Sequence, residues 1–329
     1  MAASSTNSAI GGATQAVNPH PERVVDSGKV WTSLITNLDY LTGLLTLDYT
    51  LKKHGTKYPL VALYTDTFPK EGLDALAARK IPVKKIPYLL PSTPKDYSND
   101  PRFYDCWSKL TPFSLTEYTR VCQLDSDMLV LRNMDELLDS IELDPASMEG
   151  NGNRVFAASH ACVCNPLKKP HYPKDWIPAN CAFTTQHDTP DLAQKEGAGP
   201  TAGLAMPNGG LQVVVPSAAV YDRIVKALNT DKTANYEFAD QSMLSDLFPG
   251  RWVGLPYIYN ALKTLRWEGV HHKIWRDEEV KNVHYILSPK PWDEKEGEKG
   301  KADPINGWWW REDDERRAKE KKAGIDDGF

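Results

Sequence analysis

The chain has 329 residues, 41% hydrophobic and 25% charged, the balance of a soluble globular protein rather than of a disordered or fibrous one. Its 39 basic and 44 acidic residues leave a formal charge of -5, which excludes a general electrostatic field for nucleic acid or an anionic membrane surface. Any anionic ligand must therefore be held by a local device.

Residues 1–27 read as a disordered leader, and Met1 to Pro21 lacks the basic and apolar segments of a secretory signal. From Val30 to Ile35 an apolar run predicts a buried strand, and Leu41, Leu44, Leu45 and Leu51 then recur near helical spacing. Leu60–Tyr64 is a second strand, Glu71–Arg79 a second helix and Ile81–Ile86 a third strand. This alternation is the pattern of βαβ units, hence an α/β fold with a mainly parallel, Rossmann-like sheet, whose ligands gather at the carboxyl ends of the strands. A helix over Lys109–Tyr118 leads into the strand Arg120–Leu124, which runs straight into Asp125-Ser126-Asp127. Periodicity fades over 145–205, read as a loop-rich insertion, and resumes with the strand Leu211–Val215, helices over Ser217–Leu228 and Asp240–Leu247, and the strand Val280–Leu287. Beyond Trp292 the chain is charged, with a solvated helix expected over Glu312–Lys322. The domain reading is a leader (1–27), one catalytic domain (28–305) and a tail (306–329) holding Trp308, Trp309 and Trp310. No apolar run approaches the roughly 20 residues that cross a bilayer. The five cysteines, an odd number, are expected as reduced thiols in a cytoplasmic protein.

Asp125 and Asp127, two residues apart at a strand end, project to one side and can meet one divalent cation; oxygen ligands of this kind suit Mn²⁺ or Mg²⁺. A chain this rich in Asp holds roughly two such triplets by chance, so the information lies in the placement after an apolar strand. His284, at the end of a later strand, is a candidate third ligand, and Lys290, stiffened between Pro289 and Pro291, a candidate point charge for a phosphate.

Taken together, these residues resemble the retaining glycosyltransferases of family 8, the group containing glycogenin and galactinol synthase, over about Val30 to Trp292. The resemblance implies a single GT-A type nucleotide-sugar-binding domain. It places Leu34, Thr36, Asn37 and Tyr40 at the uridine, and Arg102, Lys109 and Ser126 among the nucleotide-sugar contacts. It makes Asp125, Asp127 and His284 the ligands of Mn²⁺ (or Mg²⁺), sets Lys290 on the diphosphate of a UDP-sugar, and gives Asn208, Gly209 and Gly210 to the sugar. Asp240 and Gln241 match the family's Asp-Gln pair beside the transferred sugar. With Lys290 they are the catalytic candidates, in a same-face attack that retains the anomeric configuration.

Leu262–Val280 contains no tyrosine, unlike the self-glucosylating glycogenins, and Leu262–Trp267 with the Cys-bearing insertion is more similar to the galactinol synthase branch. That branch moves galactose from UDP-galactose to myo-inositol. The implied partners are thus a UDP-sugar and a small polyol or glycan acceptor, with no nucleic acid and no membrane; a homodimer stays open. A glycogenin-like transferase acting on protein or glycan, and a nucleotide-sugar-binding protein without turnover, are the alternatives. His160, Cys162, Cys164, His171, Cys181 and His187 form a candidate zinc set, but Cys-x-Cys without a second compact pair departs from common zinc spacings. Buried thiols and loop histidines are the favoured reading there. For Trp308–Trp310, packing onto the domain is expected over sugar stacking or a membrane anchor.

Overall fold

The structure, a computed structural model, describes residues 22–93, 95–144 and 152–329. Of the expected leader, residues 1–21 lie outside the described residues, as does 145–151 of the expected insertion. Arg23 and Val24 are tied down: the Arg23 Nε–H donates to the Glu117 carbonyl (2.5 Å) and the Val24 N–H to Tyr118 Oη (3.4 Å).

A seven-stranded sheet runs in the order β3 (Val83–Lys85), β2 (Leu60–Tyr64), β1 (Lys29–Ile35), β4 (Arg120–Leu124), β7 (Leu211–Val214), β6 (Phe156–Ala158), β8 (Val253–Gly254). Only β7 opposes its neighbours; all other pairings are parallel. The apolar runs of β1, β2, β4 and β7 arise because both faces are covered. Val30, Val61, Val121 and Val214 face Trp107, Phe113 and helices α5 (Ala218–Leu228) and α6 (Ala239–Leu247). Trp31, Ala62, Cys122 and Val213 face α1 (Leu41–Lys53) and α2 (Lys70–Ala78). Each fully buried aliphatic or aromatic side chain in these layers stabilises by about 1.5–3 kcal/mol.

From β1 the chain winds outward to β2 and β3 and then returns to place β4 on the other side of β1. The reversal opens a crevice at the carboxyl ends of β1 and β4, where ligands of such sheets bind. A second sheet stands there, made of β5 (Met128–Val130), β10 (Asn282–His284) and β9 (Ala261–Leu262). Asp125-Ser126-Asp127 is the whole link between β4 of the first sheet and β5 of the second.

Several expectations change. The helix expected over Lys109–Tyr118 is instead a short α3 (Phe103–Cys106) continued as a 3₁₀ turn over Trp107–Ser114, since Pro112 has no N–H to give an α-helical ladder. The 145–205 segment contributes β6 to the central sheet, and the strand expected over Val280–Leu287 is extended only at Asn282–His284. A one-turn α4 (Glu136–Asp139) follows β5, and the chain is completed by α7 (Asn306–Lys322).

That last helix is not solvated as expected, because one face of it is buried. Trp309, Asp313 and Arg316 are fully covered. Asp313 accepts from Thr46 Oγ1 on α1 (2.7 Å) and from Arg316 (2.7 Å), whose other arm reaches Glu320 (2.7 Å). Trp309 packs on Trp292 at 5.3 Å between ring centres, and Trp292 meets Tyr40 edge-on at 6.1 Å. Among the described residues no helix is long and apolar enough to cross a membrane.

Candidate active site

The crevice is a cleft of about 540 Å³ lined by Leu34, Thr36, Asn37, Tyr40, Arg102, Lys109, Asp125, Ser126, Asp127, Asn208, Gly209, Gly210, Asp240, Gln241 and His284. Of the residues the resemblance assigns to the nucleotide-sugar and metal, Lys290 alone is absent from its wall. Lys290 lies behind Asp127, 3% exposed, donating to Asp127 Oδ2 (2.5 Å) and to the Tyr285 carbonyl (2.8 Å).

The two carboxylates of the triplet are each matched by an ammonium. Lys109 Nζ lies 2.7 Å from Asp125, and burial works against its charge, yet Asp125 holds its pKa well above the ordinary lysine value. Burial alone would raise the Asp127 carboxyl, but Lys290 and His284 keep it well below the usual carboxylate range. Ser126 turns the other way, its hydroxyl lying 3.0 Å from Ser33 Oγ and donating to the Leu34 carbonyl, so it pins the triplet to β1.

His284 Nε2 lies 3.2 Å from Asp127 Oδ1 and 3.7 Å from Asp125 Oδ2. Its tautomer follows from a chain of hydrogen bonds that begins on a backbone N–H. Gly210 N–H donates to Asn208 Oδ1 (3.0 Å), which also accepts from Asn260 Nδ2 (2.9 Å). The remaining amide atom of Asn260 is thus Oδ1, an acceptor, and it faces His284 Nδ1 at 2.8 Å. Nδ1 must carry a proton, so Nε2, facing the two carboxylates, is the nitrogen that can offer a lone pair to a cation. Two carboxylates and one imidazole nitrogen, all within 4.8 Å of one another, fit Mn²⁺ or Mg²⁺ and leave coordination positions for a ligand's oxygens.

The two glycines given to the sugar line the cleft and also stand close against its side chains. A methyl group at Gly210 would stand 2.3 Å from His284 Cε1, and one at Gly209 2.4 Å from Asp240 Oδ2. Both glycines make room for neighbouring functional side chains. Asp240 is 3% exposed at the first turn of α6, and burial, opposed by Lys109, pushes its carboxyl up to about 7. Gln241 Oε1 accepts from the Gly209 N–H (3.2 Å). At the base of β1, Thr36 Oγ1 donates to Asp105 Oδ2 (2.7 Å), Asn37 Oδ1 caps the Asp39 N–H (3.0 Å), and Arg102 pairs with Asp100 (2.7 Å). Burial pushes the Tyr40 hydroxyl well above its ordinary pKa, so it stays a neutral donor.

Asn260, Asp105 and the aromatic wall of Tyr172, Trp176 and Phe238 belong to the site and escaped the sequence reading; Trp176 and Phe238 stack at 4.2 Å. Trp176 and Tyr172 come from the segment expected to be an insertion. Lys263, also missed, donates to the Pro289 carbonyl (3.2 Å) beneath Lys290.

No protein-family model matches the chain. Galactinol synthase 2 of Solanum lycopersicum is 28% identical over 291 residues, covering 86% of this chain and 78% of that protein. The chain is a glycosyltransferase, similar to the galactinol synthases over most of its length. The glycosyltransferase fold is shared with the galactosyltransferase LgtC, solved with donor and acceptor sugar analogues, at a TM-score of 0.52 and 15% identity, covering 86% of this chain and 96% of that one. It is shared also with the glycosyltransferase GlyE of Streptococcus pneumoniae TIGR4, at a TM-score of 0.54 and 17% identity, covering 87% of this chain and 60% of that one. This glycosyltransferase therefore has the GT-A architecture expected of it, and its carboxylate triplet stands at the switch point of the sheet.

Proposed function

We propose that this glycosyltransferase moves a hexosyl group from a UDP-sugar to a hydroxyl acceptor with retention of configuration, the favoured pair being UDP-galactose and myo-inositol. The observation that carries the reading is the proton-ordered chain from Gly210 through Asn208 and Asn260 to His284, which engages Nδ1 and turns Nε2 toward Asp125 and Asp127. A divalent cation held by these three would supply Lewis-acid stabilisation of the departing diphosphate. Lys290 holds the Asp127 carboxyl low, and Lys109, paired with Asp125, faces the cleft where a phosphate can meet it. Asp240, with its carboxyl near neutrality, is suited to hydrogen bonding with a sugar hydroxyl rather than to service as a permanently ionised nucleophile. That favours same-face attack, in which the acceptor proton passes to the leaving phosphate. The favoured acceptor rests on the galactinol synthase named among the relatives, and Tyr172 and Trp176 offer apolar faces for a small ring.

The test is a donor and acceptor screen read by mass, with Mn²⁺ and with chelator. A hexosyl-inositol product from UDP-galactose that vanishes with chelator or with Asp127→Asn is expected. Transfer in the absence of any added acceptor, with label appearing on the protein itself, would replace the polyol reading by a glycogenin-like one.

A further inference from the structure

Behind the Tyr172–Trp176 wall lies a second cluster that the transferase chemistry does not use. Cys162, Cys164, Cys181 and His271 each direct one ligand atom inward, all four within 4.8 Å of one another. Cys164 Sγ lies 3.1 Å and Cys181 Sγ 3.3 Å from the same nitrogen, His271 Nε2. The other ring nitrogen, Nδ1, faces His187 Nε2 at 2.9 Å. Cys181 and His271 are fully covered and Cys164 nearly so.

We propose that these four side chains form a structural zinc site that fastens the cleft-wall loop to the segment between β9 and β10. Three sulfurs and one imidazole are a donor set for Zn²⁺, unlike the oxygen-rich triplet at the cleft. With Zn–S about 2.3 Å and Zn–N about 2.0–2.1 Å, a tetrahedron spaces sulfurs about 3.8 Å apart and sulfur from nitrogen about 3.6 Å. The observed contacts need open by only a few tenths of an ångström. His187 orients the imidazole: with Nδ1–H of His271 donated to His187 Nε2, the His271 Nε2 lone pair turns to the sulfurs. A disulfide would consume two of the thiols and leave the third and His271 buried against it. Zn²⁺ displaces the thiol protons to give a Cys₃His site, so binding releases protons to solvent.

The set differs from the one the sequence offered. His160 is spent on the carbonyls of Ala198 (3.2 Å) and Gly199 (2.9 Å), and His171 rests on Tyr172. The fourth ligand is His271, 90 residues after Cys181. Its position gives the site a purpose. Cys164 opens the turn in which Asn165 bonds Lys169 from both ends of its amide (2.8 and 3.1 Å) and carries the chain to Tyr172. His271 sits on the stretch that leads into β10 and His284. Zinc here would lock the Tyr172–Trp176 wall to the stretch that leads into the strand bearing His284.

The experiment is elemental analysis of the wild-type chain, purified without a metal-chelating tag and dialysed against EDTA, followed by exchange to Co²⁺. One zinc per chain is expected, together with thiolate-to-cobalt charge transfer and the visible bands of a tetrahedral site. Asp125→Ala/Asp127→Ala should keep that zinc; Cys164→Ser should lose it. Should Cys164→Ser fail to fold, His271→Cys, which preserves four ligands as Cys₄, must still bind one zinc. A wild-type chain that carries no zinc and gives no thiolate–cobalt band, or a zinc lost with the Asp125/Asp127 variant and kept by Cys164→Ser, overturns the proposal.

Discussion

A single methyl group at Gly210 probes the metal clasp from the side. Its Cβ would lie 2.3 Å from His284 Cε1, 2.8 Å from Nδ1 and 3.0 Å from Asn208 Oδ1, so the imidazole must retreat by about 1.1 Å to reach the 3.4 Å of ordinary contact. The ring is 4% exposed and held by the 2.8 Å bond to Asn260, so the retreat breaks that bond or carries Nε2 away from Asp127. Overpacking of this kind costs about 1–3 kcal/mol of stability, and a ligand nitrogen displaced by about 1 Å lowers turnover by about 100-fold. Gly209→Ala serves as the control. It pushes on Asp240 Oδ2 from 2.4 Å instead, so it should lower turnover at an unchanged Mn²⁺ midpoint, whereas Gly210→Ala should raise the midpoint. The assay is UDP-sugar hydrolysis or transfer against Mn²⁺ concentration, with thermal unfolding in parallel. A Gly210→Ala protein with wild-type Mn²⁺ activation would refute the proton-ordered chain as the support of the metal ligand.

Asn260→Ala removes the acceptor of the His284 Nδ1 proton and should weaken metal binding by roughly 10–100-fold, while Asn260→Asp retains an acceptor and should lose less; isothermal titration with Mn²⁺ distinguishes the two. Lys290→Met leaves Asp127 buried without its ammonium, an uncompensated charge costing about 3–5 kcal/mol. Its melting temperature should therefore fall far more in chelator than in Mn²⁺. Asp240 ionises near 3.8 when unfolded and near 7 when folded. The folded chain holds the extra proton between those values, so its contribution favours folding below about pH 4 and is lost as pH rises to about 7, at up to about 1.4 kcal/mol per pH unit. Asp240→Asn should accordingly unfold at a higher temperature than wild type at pH 8 in chelator and gain nothing at pH 4. Trp309→Ala empties a fully buried site and should cost about 3–5 kcal/mol in denaturant unfolding.

What could be read without coordinates had a local physical cause. β1, β2, β4 and β7 are covered on both faces, so their sequences are unbroken apolar runs, and Asp125 stands out because it ends one of them. Of the second sheet only β10 showed, inside the strand expected over Val280–Leu287, because β5 and β9 are strands of three and two residues that carry no period. Asn260 is an amide in an aromatic stretch whose role exists only through Asn208 and His284, 52 and 24 residues away. His271 was hidden for the same reason, one of two adjacent histidines in a polar stretch, although the Cys-x-Cys with a third cysteine was the available signal. In α7, composition misled: Asp313, Arg316 and Glu320 satisfy one another, so charge there marks an interior network rather than a wet surface.

The carboxylate triplet is also a mechanical joint. Asp125 closes the last turn of one sheet, Asp127 opens the other, and His284 belongs to the second alone. A cation gripping all three would clamp the two sheets at a fixed angle, and its release would let the smaller one swing, taking Lys290 and the Trp292 contact with it. Amide exchange in β5 and β10 would then slow on cation binding, far beyond the three ligands themselves, and the reacted nucleotide would leave through a cleft whose width is set by the angle between two sheets.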